Sequence, residues 1–220
     1  MEFPLLASLP PEARQSLLAR ARRRAFRRLE VVVHEGDLSD SLHLVQSGRL
    51  GVQVSTPDGQ VAMLSLLVPG DYFGEVSLLE PDMPRRSATV VALEPAETLS
   101  ISSADFHALC RQHPAIEQVV LRALAHRVDH LTQRLLEAMY EGLDRRVYRQ
   151  LLHLCDVYAV GPGASSVSIP LTQSTLAEFV GGTRPTVNAI LQRLQERGLV
   201  ELTRGRVVVT DRAALASKLR

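Results

Sequence analysis

The hydrophobic and polar positions change their pattern twice along the chain. Residues 5–28 are rich in Ala, Leu and Arg and predict short helices, one of which begins near Pro10-Pro11-Glu12. Between residues 29 and 101, short β-prone runs alternate with turns that contain Gly, and Asp58-Gly59 is a strong hairpin signal. Evenly spaced strands of this kind predict a sandwich or a barrel, and helical patterning returns after Ser102.

Apolar residues recur with a seven-residue period in the helical stretch Ile116–Met139. The seam is narrow and its flanks are mostly charged or polar, which favours a two-stranded coiled coil. We therefore expect two copies of the chain to pair through this helix. An amphipathic helix that packs on its own domain is the alternative. The seam consists of Leu121, Leu124, Val128, Leu131, Leu135 and Ala138.

Residues 172–195 have the spacing of a helix-turn-helix. Thr172 is suited to cap a first helix, and Gly181 can take the strained dihedral angles of the turn that follows. Val187 and Ile190 then form the inner face of a second helix. Residues 198–209 predict a β-hairpin with an Arg-Gly-Arg tip, which makes this domain a winged helix. A small helical bundle without a role in DNA binding is the alternative.

The exposed start of the second helix carries side chains suited to DNA. Arg184 and Asn188 lie four residues apart on one face, where Arg can read guanine and Asn can read adenine in the major groove. Thr183 and Thr186 are suited to phosphate contacts, which set register rather than sequence. The predicted DNA-binding residues are Thr172, Thr183, Arg184, Pro185, Thr186, Asn188, Arg204 and Arg206.

The charge distribution agrees with a nucleic-acid partner for the C-terminal part. The whole chain has a net charge of only +1. Residues 142–220 nevertheless hold eleven Arg and Lys against six Asp and Glu, a net charge of +5. A basic domain of this kind favours binding to an acidic polymer.

Composition argues against several other classes of protein. The two cysteines are too few for a dense disulfide framework or for a four-cysteine iron–sulfur or zinc site. No nucleophile elbow, P-loop or paired-carboxylate constellation indicates an enzyme. No apolar run approaches the ~18 residues of a membrane helix, and the first four residues do not resemble a signal peptide. We therefore expect a cytoplasmic protein.

Two further segments carry a family resemblance. Residues 70–79 have the sequence Gly-Asp-Tyr-Phe-Gly-Glu-Val-Ser-Leu-Leu, and residues 84–90 the sequence Pro-Arg-Arg-Ser-Ala-Thr-Val. Together with the helix-turn-helix, they resemble the cyclic-AMP receptor and fumarate–nitrate regulator (CRP/FNR) family over nearly the full chain. The resemblance implies an α+β fold. A cyclic-nucleotide-binding β jelly-roll barrel would span residues 1–114, a dimerisation helix 115–141, and a winged helix-turn-helix 142–220.

The same resemblance implies a function. The chain would be a sequence-specific transcription regulator, not an enzyme, that acts as a homodimer under allosteric control by cyclic AMP. Promoter DNA and RNA polymerase would be its partners. One alternative is a ligand-independent family member with a degenerate pocket. Another is a cyclic-nucleotide-binding module of a different regulatory system, such as a kinase or a channel.

Arg86 and Glu75 are the key residues of the implied pocket. Arg86 can pair with the nucleotide phosphate with help from Ser87, and Glu75 can accept a hydrogen bond from the ribose 2′-hydroxyl. In the family an Arg of the long helix meets this Glu, and Arg127 occupies that position. The implied ligand-binding residues are Gly74, Glu75, Val76, Arg86, Ser87, Ala88, Arg127 and Thr132.

Three positions depart from the family pattern. Cyclic-AMP binders of the family offer two hydrogen-bonding side chains to the base. At those two positions this chain keeps one such side chain, Thr132, and has Leu131 in place of the other. In the second helix of the helix-turn-helix, Pro185 and Ala189 replace a Glu and an Arg of the best-known member. We therefore expect a DNA half-site that is relaxed at the bases those two residues would read.

The resemblance does not extend to members of the family that bind a metal. Residues 79–82, Leu-Glu-Pro-Asp, offer no haem ligand of the kind found in the carbon-monoxide sensor. His126 and His130 share a helix face, but no third metal ligand is evident. We therefore expect no metal, haem or iron–sulfur cluster.

Overall fold

The computed structural model describes residues 3–75, 85–159, 161 and 166–219. The chain divides into two compact units. The first consists of Met1–Val54 and Leu64–His130, and the second of Ser55–Met63 and Leu131–Arg220.

The first unit begins with helices, as the sequence predicts, but these end earlier than expected. A 3-10 helix spans Pro4–Leu6 and helix α1 spans Pro11–Arg20. Arg22–Phe26 forms a strand, β1, where the sequence pattern predicted helix, so that part of the prediction is wrong. The reason is a long-range partner, because β1 pairs antiparallel with residues 96–100. Tertiary pairing of this kind overrides local propensity.

Two four-stranded sheets follow, which confirms the predicted β-rich region. After β1, their strands are β2 (Val31–Val33), β3 (Ser41–Ser47), β4 (Leu50–Ser55), β5 (Val61–Leu67), β6 (Tyr72–Phe73), β7 (Thr89–Ala92) and β8 (Ala96–Ser102). The strand orders are β1-β8-β3-β6 in one sheet and β2-β7-β4-β5 in the other. The predicted turn at Asp58-Gly59 connects β4 to β5, and Gly59 has a φ of +78° there.

Each face of the sheet that contains β3 is covered. One face contributes to an apolar core shared by the strands, with Val45, Phe73 and Ala96 among its members. The other face, which includes Leu42 and Leu44, packs against the N-terminal helices and helix α2 (Ser103–Gln112). As a result β3 is buried along Ser41–Val45, and its polar residues lie in the interior.

The long helix α3 spans Ala115–Tyr140, slightly beyond the predicted stretch. Its first turns join the core of the first unit through the buried residues Ile116 and Val120. Farther along, large apolar side chains are exposed. These are Leu121, Val128, Leu131, Leu135, Leu136, Met139 and Tyr140.

The remainder of the second unit has the predicted winged-helix arrangement. Its helices are α4 (Leu143–Tyr158), α5 (Gln173–Val180), α6 (Arg184–Glu196) and α7 (Arg212–Ser217). A three-stranded sheet has the order β10-β11-β9, formed by Val200–Thr203, Arg206–Val209 and Val167–Ile169. The inner faces of α5 and α6 are buried at Leu176, Ala177, Val187 and Ile190.

Candidate functional site

Arg86 is the centre of the candidate pocket in the first unit. It is only 6% exposed, although Arg is rarely buried. The backbone around it is held from both sides, because its N–H donates to Asp37 O at 2.9 Å and its carbonyl accepts from Gly36 N at 2.8 Å. The side-chain atom Nη2 donates to Ser41 Oγ at 3.2 Å. The other terminal nitrogen, Nη1, makes no hydrogen bond to any residue that the structure describes.

Gly74 lies directly against this guanidinium group. A Cβ atom at position 74 would come within 2.2 Å of Arg86 Nη1 and 2.8 Å of Ser41 O. The φ of Gly74 is +92°, a conformation that a residue with a side chain rarely adopts. Both observations require glycine here, and they explain the Gly in the Gly-Glu pair.

Glu75 supplies the opposite charge. It is 1% exposed, and its Oε1 accepts a hydrogen bond from Arg127 Nη1 at 2.5 Å. The structure therefore brings the Arg of helix α3 to this Glu, as the resemblance implied. Glu75 Oε2 has no hydrogen-bond partner within the described part of the chain. Burial lowers the pKa of Arg86, whereas the carboxylates of Asp40, Glu75 and Asp37 raise it.

The other predicted pocket residues differ in where they lie. Ser87 is exposed and Ala88 half-buried, and both follow Arg86 immediately before β7. Val76 lies outside the described residues. Leu131 and Thr132 belong to the second compact unit, and both are exposed.

Sequence reasoning missed three buried polar residues in a line of side-chain contacts that begins at Arg86. Ser41, His43 and Thr98 are 8%, 1% and 0% exposed, so all three lie in the interior of the first compact unit, called the β-rich unit below. The signal in the sequence was the alternation Ser-Leu-His-Leu at 41–44. That pattern is typical of a strand with one solvated face, and it does not distinguish such a strand from one that is buried on both faces.

The helix-turn-helix has the local geometry that the sequence predicts. Thr172 Oγ1 accepts from Thr175 N at 3.1 Å and so caps α5, and Gly181 ends that helix with a φ of +61°. Thr183 caps α6 in the same way, by accepting from Thr186 N at 3.4 Å.

The predicted DNA-contacting residues are not equally accessible. Five of them are exposed: Thr172, Thr183, Arg184, Pro185 and Thr186. Asn188, on α6, is less accessible because it is half-buried. The two wing residues, Arg204 and Arg206, are exposed. They flank Gly205, which has a φ of +78° at the tip of the β10–β11 hairpin.

The heptad residues of α3 fall into two groups. Leu121, Val128, Leu131 and Leu135 are between 42% and 68% exposed, and Ala138 is exposed as well. Leu124 instead packs against the core of the first unit. One of the six seam positions thus also serves the protein's own core.

In the described ranges, no group of three or more His, Cys, Asp or Glu side chains could hold a metal ion. Cys110 and Cys155 are buried free thiols, and burial raises the pKa of Cys155 to about 11. None of the helices within those ranges is long and apolar enough to cross a membrane.

Known proteins place the chain in a family. The model of the cyclic nucleotide-binding domain matches residues 23–113, and that of the Crp-like helix-turn-helix domain matches residues 145–218. The chain is 34% identical over 212 residues to the "Cyclic AMP receptor protein" of Thermus thermophilus, covering 96% of this chain and 94% of that protein.

A further relative and a solved structure agree with these matches. A "CRP-like cAMP-activated global transcriptional regulator" of Mycobacterium tuberculosis is 31% identical over 196 residues, covering 89% of this chain and 87% of that protein. The c-di-GMP responsive regulator CLP of Xanthomonas campestris has the same fold, with a TM-score of 0.80 at 21% identity over 91% of this chain and 99% of that one. The chain belongs to the CRP/FNR family of DNA-binding transcription regulators and carries the family's cyclic nucleotide-binding domain.

Proposed function

We propose that the protein is a homodimeric transcription regulator whose binding to promoter DNA is controlled by cyclic AMP. One observation carries the proposal. Arg86 and Glu75 are both buried, and each has one polar side-chain atom, Nη1 and Oε2, without a hydrogen bond in the described part of the chain. An unsatisfied buried polar atom is destabilising by about 1–3 kcal/mol, so these two atoms favour a ligand that would satisfy both.

A cyclic nucleotide has the complementary chemistry. Its phosphate would accept from Arg86 Nη1 in a charge-assisted hydrogen bond, and its ribose 2′-hydroxyl would donate to Glu75 Oε2. Ser87 and Ala88 come next in the chain, where their backbone N–H groups and the Ser87 hydroxyl would help to hold the phosphate. Thr132 would contact the base.

The Glu75–Arg127 pair would connect the pocket to helix α3. A hydroxyl that donates to Glu75 changes the hydrogen bonding of the carboxylate that Arg127 meets, and Arg127 lies on the helix that carries the exposed apolar seam. A ligand shifts a conformational equilibrium only by its difference in affinity between two states. We propose that this ion pair is where that difference arises.

A second copy of the chain would cover the exposed seam of α3. Large exposed apolar side chains are uncommon on a monomer when they lie in one contiguous stripe, and here they follow a heptad spacing. A two-fold dimer would present two α6 helices to half-sites about one helical turn apart. Arg184 would read guanine, with Thr183, Thr186, Arg204 and Arg206 on the phosphates. RNA polymerase would be a further partner.

Calorimetric titration with cyclic AMP and cyclic GMP tests the pocket directly. We expect cyclic AMP to bind the wild type, and Arg86→Ala to lower the affinity roughly a hundredfold or more, because the phosphate would lose its buried cation. Arg111→Ala, on the exposed end of α2, is the matched control and should bind as the wild type does. Promoter DNA binding should then depend on cyclic AMP in the wild type, whereas cyclic AMP should not change DNA binding by Arg86→Ala.

Equal affinity in Arg86→Ala and the wild type would overturn the pocket assignment. Binding of neither nucleotide by the wild type, together with DNA binding that needs no ligand, would favour the ligand-independent alternative.

A further inference from the structure

A chain of buried polar contacts extends from Arg86 into the interior of the β-rich unit. Arg86 Nη2 donates to Ser41 Oγ at 3.2 Å, and Ser41 Oγ lies 3.4 Å from His43 Nε2. On the far side of the ring, His43 Nδ1 lies 3.1 Å from Thr98 Oγ1. These are side-chain contacts between β3, β8 and the segment just before β7.

The strands place the three residues in one line. Ser41 and His43 are two residues apart on β3, so they face the same side of the sheet. Thr98 lies on the neighbouring strand β8, opposite Val45, and therefore sits diagonally beside His43 on that side. The His43 ring is also stacked on Phe73 of β6, with centroids 4.8 Å apart and an interplanar angle of 12°. The ring is thus fixed by stacking as well as by hydrogen bonds.

His43 is uncharged in this position. Burial, followed by the positive charges of Arg86 and Arg24, lowers its pKa to about 3, while Asp40 acts in the opposite direction. A neutral imidazole has one donor and one acceptor nitrogen. Either tautomer of His43 is compatible with these hydrogen bonds, because the Ser41 hydroxyl can donate to Asp40 Oδ1, 2.9 Å away, or to His43 Nε2. In both cases Ser41 Oγ still accepts from Arg86.

We propose that Ser41, His43 and Thr98 are positioning residues for Arg86, which hold its guanidinium group by Nη2 so that Nη1 remains available to a ligand phosphate. The proposal rests on the proposed function and names the residues that prepare that site. Arg has many rotamers, and a guanidinium group fixed before binding loses less conformational freedom when the anion arrives. The alternative is a polar cluster that only stabilises the fold.

The affinity of four variants for cyclic AMP distinguishes a positioning role from a purely structural one. Ser41→Ala removes the acceptor, and His43→Phe keeps a ring against Phe73 without its nitrogens. Each should weaken binding roughly tenfold, the effect of about one hydrogen bond. Ser41→Thr keeps the hydroxyl and should restore most of the affinity. Ser100→Ala, on the same side of β8 but outside the contact chain, is the control and should bind as the wild type does.

If Ser41 acts through Arg86, the effect of Ser41→Ala on binding should disappear when Arg86 is changed. In an Arg86→Lys background the fork that reaches Ser41 is gone, so Ser41→Ala should weaken binding by less than twofold there. A purely structural cluster would give the same loss in both backgrounds, and that result would overturn the proposal.

Exchange of the Arg86 guanidinium protons, followed by NMR in the protein without ligand, gives an answer that does not depend on nucleotide binding. It should be slow in the wild type and in Ser100→Ala, and several-fold faster in Ser41→Ala and His43→Phe. Unchanged exchange rates would overturn the positioning role. If the wild type binds neither nucleotide, the proposed function fails, and the exchange rates still decide whether Arg86 is held.

Discussion

Replacing His43 by Phe should alter how the stability of the β-rich unit depends on pH. The pKa of the buried ring is lowered to about 3 from an ordinary value of 6.5. The unfolded chain therefore takes up a proton at a higher pH than the folded chain. The contribution of His43 to stability is present in full above pH 6.5 and is lost as the pH falls below that value.

The magnitude at pH 5 follows from this difference. At that pH His43 is protonated in the unfolded chain but not in the fold, which favours unfolding by about 2 kcal/mol relative to pH 7.5. The full loss, reached only near pH 3, would be about 5 kcal/mol. His43→Phe should lower stability by about 1–3 kcal/mol at pH 7.5, since Thr98 loses its partner, and should then remove the His43 part of the pH dependence.

Hydrogen exchange of the amides in β3 and β8 measures the effect in the intact chain, because these amides report the opening of the strands. Between pH 7.5 and 5, the opening free energy of the wild type should fall by about 2 kcal/mol more than that of His43→Phe. Thr98→Val is the control, since it removes a hydroxyl and leaves the histidine in place. It should lower the opening free energy similarly at both pH values. The same pH dependence in the wild type and His43→Phe would refute the reasoning.

Three other perturbations test the remaining parts of the molecule. Combining Val128→Glu with Leu135→Glu, at exposed seam positions, should give monomers in sedimentation; a dimer would place the interface elsewhere. Arg184→Ala should weaken DNA binding by roughly 1–3 kcal/mol per half-site and relax one base pair in a selection from random DNA, and an unchanged selected sequence would contradict the base contact. Gly74→Ala should abolish cyclic AMP binding in calorimetry because its Cβ would meet Arg86 at 2.2 Å. Gly59→Ala, in the turn between β4 and β5, has a similar φ with no atom within 4 Å of the new Cβ, and should cost stability alone.

The helix-turn-helix was predictable in detail because its signals are local. A cap at Thr172 and a left-handed glycine at position 181 act within a single turn, so their spacing alone indicates two helices and the turn between them. Strand β1 was not predictable in this way. Its three consecutive Arg residues have no β pattern, and what makes them a strand is a partner about seventy residues later in the chain.

The heptad in α3 shows a different limit. Periodicity indicates which side chains share a face, but it does not say what covers that face. Leu124 has the same spacing as its five companions, yet it packs against the core of its own unit, whereas Val128 and Leu135 are exposed. A double substitution that included Leu124 would therefore mix a loss of folding with a loss of pairing.

The buried polar residues of β3, Ser41 and His43, are explained by the buried charge of Arg86. The guanidinium group of a residue that is only 6% exposed must find acceptors inside the protein, because leaving a buried cation without them is far more destabilising than burying a neutral group. Ser41 provides one, and His43 and Thr98 in turn satisfy Ser41 and each other. The polar residues that alternate with Leu42 and Leu44 are thus a consequence of Arg86, although they precede it by more than forty residues. Alternation in a strand therefore has two explanations, a solvated face or a buried charge, and in β3 the buried Arg86 in contact with Ser41 identifies the second.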